Sequence, residues 1–144
     1  MITLHASVLI AHLFPADSHH HLATEYLLEA ANEDLVMHSL NLAEVLVGGV
    51  RVGRGQELLT DLEAIGIRVA DGRDGEPLRL ARLRATSGLK LPDCCALDTA
   101  LTTGSTLATF DAALAKAARQ HQLPVALDRD GSSPDPTGQP LRRG

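Results

Sequence analysis

Short apolar runs alternate along the chain with longer segments of helical periodicity. Apolar runs predict strands at residues 2–4, 35–37, 67–69, 106–109 and 123–127. Apolar positions three or four residues apart predict helices at 7–13, 20–31, 42–50, 56–65, 77–85, 92–102 and 112–120. Pro124 suits only a strand start or a sheet edge, because proline has no N–H to donate to a ladder. The alternation is typical of crossover units and predicts an α/β fold with a mainly parallel central sheet.

Length and composition indicate a single compact domain. The chain has 144 residues, of which 44% are hydrophobic, so it can bury a substantial core. We expect this domain at residues 1–128 and a disordered C-terminal tail at 129–144, which is rich in Gly, Pro, Ser and Asp. The net charge of −5 argues against a general nucleic-acid coat, although it leaves room for a local basic patch.

Cysteine usage and the apolar start of the chain bear on its location. Cys94 and Cys95 are adjacent, so they do not form a spaced disulfide framework, and we expect reduced, buried thiols in a cytoplasmic protein. The apolar segment 1–14 lacks a basic leading region and is too short to cross a bilayer. Neither export nor membrane insertion is therefore expected.

Three acids, Glu44, Asp93 and Asp111, lie where apolar runs change character, and His5 ends the first predicted strand. Sites in parallel sheets form outside the carboxyl ends of the strands, so these residues are candidates for a metal site in which a cation offsets the repulsion between carboxylates. Each acid also has a structural explanation: Asp111 as an N-cap, Asp93 at a helix N-terminus and Glu44 on a solvent-facing helix. Glu44 is the least easily explained, because its apolar neighbours predict that it points among buried side chains.

Four segments resemble, in order and spacing, the motifs of PIN-domain ribonucleases, most closely the VapC-type toxins of bacterial toxin-antitoxin pairs: 4–11, 42–48, 88–93 and 109–111. The resemblance covers about residues 1–128. It implies a three-layer α/β/α sandwich and four acids around Mg²⁺ or Mn²⁺. Glu44, Asp93 and Asp111 match three of these acids, while His5 replaces the usual Asp. Ser7 and Thr109 match hydroxyl residues that orient an acid or a water.

The resemblance also implies a function and its partners. The expected activity is metal-dependent endoribonuclease cleavage, in which the cation polarises the phosphate and generates the nucleophile. A VapB-like antitoxin and a homodimer are the implied protein partners. Because imidazole is neutral and favours Mn²⁺ or Zn²⁺ over Mg²⁺, His5 predicts reduced cleavage. The alternative is an impaired binding module that retains antitoxin affinity. A receiver-like signalling domain also uses clustered acids, but no convincing active-site Lys is found.

Basic, glycine-rich and histidine-rich segments are further candidates for phosphate or metal binding. Arg79 and Arg82 share a predicted helical face, and with Lys90 they could clamp RNA phosphates; an ordinary solvated face explains them equally well. Residues 48–55 lack the Lys followed by Ser or Thr of a phosphate loop. Residues 19–21 are three consecutive histidines that would point in different directions on a helix, so one cation cannot easily use all of them. Asp98 lies off the helical face of Asp93 and is excluded as a ligand.

Overall fold

A computed structural model describes residues 1–128, and the predicted tail at 129–144 lies outside the described residues. The five strands of the described residues are β1 Ile2–Leu4, β2 Leu35–Met37, β3 Ile67–Val69, β4 Thr106–Ala108 and β5 Val125–Ala126. The seven helices of the same part of the chain are α1 Ala6–Leu13, α2 His20–Glu29, α3 Ser39–Arg51, α4 Gly55–Ala64, α5 Glu76–Ser87, α6 Leu91–Thr103 and α7 Ala112–Gln120.

All strand pairs in this sheet are parallel, and the strand order is β3-β2-β1-β4-β5. The central strand β1 pairs with β2 on one side and β4 on the other, with Leu4 opposite Ala108. Consecutive parallel strands need a crossover, and each crossover here contains at least one helix. The predicted α/β class with a parallel central sheet is confirmed.

Two apolar clusters cover opposite faces of the sheet. One joins strands β1, β2 and β3 to helices α1 to α4, and it includes Leu4, Leu9 and Met37. The other joins β4 to helices α5, α6 and α7, and it includes Leu97, Leu107 and Leu114. The sheet is therefore the middle layer of an α/β/α sandwich, as expected.

Element boundaries differ from the predicted ones mainly where side chains cap a helix or proline limits a strand. Helix α3 begins at Ser39 rather than at residue 42, because the His38 side chain accepts a hydrogen bond from the Leu40 N–H and caps its first turn. Strand β5 contains only Val125 and Ala126, since Pro124 cannot donate to the sheet. Helix α6 ends at Gly104 (φ +63°), the predicted stop.

Within residues 1–128 no helix combines the length and the apolar character needed to cross a membrane. Cys94 and Cys95 are both buried and free, which confirms the expectation of reduced, buried thiols. Burial raises the pKa of Cys94, and it raises the pKa of Cys95 to about 11 with smaller contributions from Glu76, Cys94 and Asp98. Both thiols are thus held in the protonated, unreactive form at neutral pH.

Candidate active site

The candidate site lies at the carboxyl ends of the adjacent parallel strands β1 and β4. His5 directly follows β1 and Thr109 directly follows β4, and the His5 N–H donates to the Ala108 carbonyl at 3.0 Å. Asp93 reaches the same place from the first turn of α6. The fold thus brings together three segments that are far apart in sequence.

The imidazole of His5 is buried and hydrogen-bonded through both ring nitrogens. Its Nε2 lies 2.8 Å from Asp93 Oδ1, and its Nδ1 lies 2.9 Å from Ser7 Oγ and 3.0 Å from Thr109 Oγ1. Because an ionised carboxylate only accepts, Nε2 carries the proton that is donated to Asp93. In the neutral ring the single lone pair of Nδ1 then faces both hydroxyls and accepts from one of them at a time.

Ser7 and Thr109 connect the imidazole to the segment that follows β4. The Phe110 N–H donates to Ser7 Oγ at 3.0 Å, and the Asp111 N–H donates to Thr109 Oγ1 at 2.9 Å. Each hydroxyl accepts from the backbone, which leaves its own hydrogen for His5. The structure therefore brings both residues to His5, while their role in orienting a catalytic acid or water stays a prediction.

Asp111 is an N-cap in this arrangement. Its Oδ1 accepts from the Leu114 N–H at 2.8 Å, and its backbone conformation is extended immediately before α7. It is linked to His5 through Thr109 rather than by direct contact. The structural explanation of Asp111 is thus realised, and a further role as a metal ligand stays a prediction.

Glu44 does not point among buried neighbours, so that expectation was wrong. Helix α3 buries Asn41, Leu42 and Val45, whereas Glu44 is exposed. The surrounding apolar residues misled the prediction because Ala43 and Val47 are also exposed. Glu44 lies one turn after Asn41, at the border between the buried face of α3 and solvent.

Asn41 is a site residue that the sequence reasoning missed. Its side chain is fully buried, its Oδ1 accepts from the Ala6 N–H at 2.9 Å, and its Nδ2 donates to the Pro92 carbonyl at 2.9 Å. Ala6 follows His5 and Pro92 precedes Asp93. The signal in the sequence was a single amide within the apolar run from Leu40 to Val47, since a buried amide requires hydrogen-bond partners.

The donor types at this site suit a divalent ion, but the side chains are not gathered around one point. Carboxylates together with one imidazole fit Mn²⁺ better than Mg²⁺, which favours oxygen ligands. Among residues 1–128, however, no group of three His, Cys, Asp or Glu side chains is placed to hold an ion. The hydrogen bond between His5 and Asp93 instead satisfies these two side chains directly.

Arg79 has a role in the fold that the sequence did not indicate. Its guanidinium donates to both carboxylate oxygens of Asp98, at 2.9 and 3.2 Å, and to the Asp74 carbonyl at 2.6 Å. The hydrogen bond to Asp98 raises the pKa of Arg79. Three of its N–H donors are thus used within the fold, which favours a structural role, and a contact of Arg79 with RNA phosphates stays a prediction. Arg82 and Lys90 are exposed.

The three consecutive histidines have different surroundings, as their positions at a helix start suggest. His19 stacks on Phe110 with ring centroids 4.2 Å apart, and His20 Nδ1 donates to the Ala11 carbonyl at 2.9 Å. His21 is exposed. Likewise, the glycine-rich segment 48–55 joins α3 to α4, in agreement with the rejection of a phosphate loop.

Comparisons with known proteins identify the family. The profile of the PIN domain family matches residues 2–120, and the chain belongs to this family. PIN domains are generally nucleases that use divalent metal ions. No match is found among curated proteins.

Several solved structures share the fold. A toxin-antitoxin complex from Klebsiella pneumoniae is 24% identical with a TM-score of 0.64, over 77% of this chain and 87% of that chain. VapBC2 from Rickettsia felis, bound to a DNA fragment from its promoter, is 19% identical with a TM-score of 0.63, over 87% of this chain and 97% of that chain. FitAcB from Neisseria gonorrhoeae is 24% identical with a TM-score of 0.63, over 87% of this chain and 96% of that chain.

Proposed function

We propose that this PIN-domain chain is the toxin of a VapBC-type toxin-antitoxin pair and that it hydrolyses RNA phosphodiesters with a bound divalent ion, at a rate reduced by His5. The observation that carries the proposal is the meeting of His5, Asp93 and the Thr109–Asp111 segment at the carboxyl ends of β1 and β4. Family membership and the toxin-antitoxin complexes among the similar structures support it. Such a toxin would act on RNA in the cytoplasm.

The proposed ligands of Mg²⁺ or Mn²⁺ are Asp93, Asp111 and Glu44, together with His5. When bound, such an ion polarises the scissile phosphate and activates a water for in-line attack. Ser7 and Thr109 hold the His5 ring in the orientation that faces Asp93. Glu44 is exposed, and its inclusion in the ligand set rests on the family pattern alone.

The reduced activity follows from the way His5 uses Asp93. The Nε2–H of His5 donates to the Asp93 oxygen at 2.8 Å, so a bound ion would have to replace this proton or displace the ring. A neutral imidazole also supplies one negative charge fewer than the Asp of the family pattern. Both effects weaken the binding of either ion, and the nitrogen ligand disfavours Mg²⁺ further, because Mg²⁺ prefers oxygen ligands.

Replacing His5 by an acid is the direct test of this proposal. His5→Asp should increase Mg²⁺-dependent cleavage of a total RNA pool by about tenfold or more, because it restores an oxygen ligand and a charge. EDTA should abolish the cleavage and Mn²⁺ should restore it in both proteins. His5→Asn is the control, since it changes the size of the side chain similarly without adding charge. Equal cleavage by the unchanged protein and His5→Asp would remove His5 from the site.

A binding module without useful nuclease activity is the second candidate. It is favoured by the direct bond between His5 and Asp93 and by the absence, within residues 1–128, of three gathered ligand side chains. Tight antitoxin binding by purified protein, with no RNA cleavage in Mg²⁺ or Mn²⁺, would select this candidate. Metal-dependent cleavage would select the nuclease.

The apolar surface supports the proposal of protein partners, a VapB-like antitoxin and a second copy of the chain. A groove of about 430 Å³ lies between the end of α1 and helices α3 and α4, and it is lined by Leu13, Phe14, Val45 and Leu58 among others. Phe14 is 53% exposed, which is unusual for a phenylalanine. Covering such surface is a common source of binding energy for an apolar segment.

A further inference from the structure

We infer that Asn41 is a positioning residue that sets the distance between His5 and Asp93. The inference deepens the proposed function, since it concerns the same site. Asn41 lies on α3, and its side chain hydrogen-bonds to the backbone next to His5 and next to Asp93. Its oxygen binds the Ala6 N–H and its amide nitrogen binds the Pro92 carbonyl, both at 2.9 Å.

The bond to Ala6 fixes the start of α1. The first N–H groups of a helix have no partner within the helix, and the His5 side chain makes no capping hydrogen bond to α1. Asn41 supplies an acceptor from a neighbouring helix instead. The peptide that connects His5 to α1 is therefore held by α3.

The bond to Pro92 fixes the start of α6 in the same way. Pro92 precedes Asp93 and lies in the first turn of α6. One rigid amide thus spans the two helix starts that carry His5 and Asp93, whose side chains meet at 2.8 Å. Functional side chains must be held to within about 0.5 Å, and a single buried group that binds both supports is suited to this task.

Burial makes this amide costly to replace and hard to move. Asn41 is fully buried, and no buried side-chain nitrogen or oxygen lacks a partner in the described residues. Both polar ends of the amide are satisfied by backbone groups of two different helices. Removing the amide leaves the Ala6 N–H without its acceptor and frees the two helix starts to shift relative to each other.

The test compares Asn41→Leu with a matched control, Ser105→Ala. Ser105 is also buried and also makes two side-chain hydrogen bonds, to Thr3 and Thr103, but it precedes β4 at the opposite end of the strand from the site. Both variants should lose thermal stability. Only Asn41→Leu should move the ring ¹⁵N signals of His5 in NMR spectra, and only it should raise the Kd for Mn²⁺, by about tenfold.

The ring signals of His5 are read without metal or RNA, so they decide this inference independently of the proposed function. Unchanged His5 signals in Asn41→Leu would overturn it, even where RNA cleavage is metal-dependent. If Asn41→Leu does not fold, Asn41→Ser serves instead, because its shorter side chain cannot reach both Ala6 and Pro92. Movement of the His5 signals in Asn41→Ser supports the inference, and signals like those of the unchanged protein reject it.

Discussion

At the scale of single residues, hydrogen bonds show how the same side chain serves the fold and the candidate chemistry. Asp111 caps α7 through its Oδ1 and is joined to His5 through Thr109. His5 in turn is satisfied by Asp93 and two hydroxyls. A substitution at Asp111 therefore has two separable consequences, one for stability and one for activity.

Asp111→Asn and Asp111→Ala should separate these two roles. Asparagine keeps an acceptor for the Leu114 N–H, so Asp111→Asn should leave the free energy of unfolding nearly unchanged, while Asp111→Ala should lower it by about 1 kcal/mol. Both should lose metal-dependent RNA cleavage, because both remove the proposed carboxylate ligand. Urea unfolding and cleavage assays measure the two effects. Cleavage by Asp111→Asn at the rate of the unchanged protein would exclude Asp111 as a ligand.

At the scale of elements, helix α6 is the central buried helix of one layer. Its residues from Cys94 to Ala100 are all buried, including Asp98 and Thr99, so this stretch is enclosed on every side, and Asp93 opens the first turn of the helix. This position explains why Asp98 needs Arg79: a buried carboxylate must be paired. It also explains the raised pKa values of the two thiols.

Burial of Cys95 predicts a loss of stability in alkali. The raised pKa of Cys95 means that the folded state retains its proton above the ordinary value of 9.0, whereas the unfolded state releases it. The contribution of the protonated Cys95 thiol to the stability of the folded state is fully present below pH 9 and is lost as the pH rises through about 11. Cys95→Ala should show a shallower fall in the free energy of unfolding over this interval. If the free energy of unfolding falls equally steeply with pH in the unchanged protein and in Cys95→Ala, the raised pKa of Cys95 is contradicted.

The same environment predicts slow alkylation. Iodoacetamide at pH 8 should leave both thiols of the folded protein unmodified and should modify both in urea, because only the thiolate reacts. Mass spectrometry distinguishes the two cases.

At the scale of the whole molecule, the proposed binding of RNA would have to overcome a net charge of −5. Because the Arg79 guanidinium is paired with Asp98, the exposed side chains of Arg82 and Lys90 are the better candidates for phosphate contacts from the predicted set. With few aromatic side chains, the chain offers little for base stacking, so recognition would depend on phosphates and shape.

Arg82→Gln and Lys90→Gln should each weaken RNA binding and lower the slope of log affinity against log salt by about one. Arg51→Gln is the control, because Arg51 is exposed at the far end of α3. Binding is measured without divalent ions across a range of salt concentrations. Identical slopes for Lys90→Gln and Arg51→Gln would remove Lys90 from the phosphate-binding surface.

The sequence predicted the succession of strands and helices along the chain, the Asp111 cap and the stop of α6 at Gly104. These features depend on residues within a few positions of one another. Hydrophobic spacing, cap residues and glycine report local conformation directly. The motifs that meet at the site could also be recognised in order. The meeting of His5 with the 109–111 segment followed from a general property of parallel sheets, whose strand ends share one edge, whereas Asp93 arrives from the first turn of helix α6.

The tertiary structure alone decided how the site is supported. The exposure of Glu44, the bonds of Asn41 to Ala6 and Pro92, and the pairing of Arg79 with Asp98 depend on how each helix is rotated and on which distant segment lies against it. A helical pattern marks an apolar face but not its edges, and the partner of a buried polar group has no fixed spacing in sequence. Those contacts form only when the packed layers bring the segments within hydrogen-bond distance.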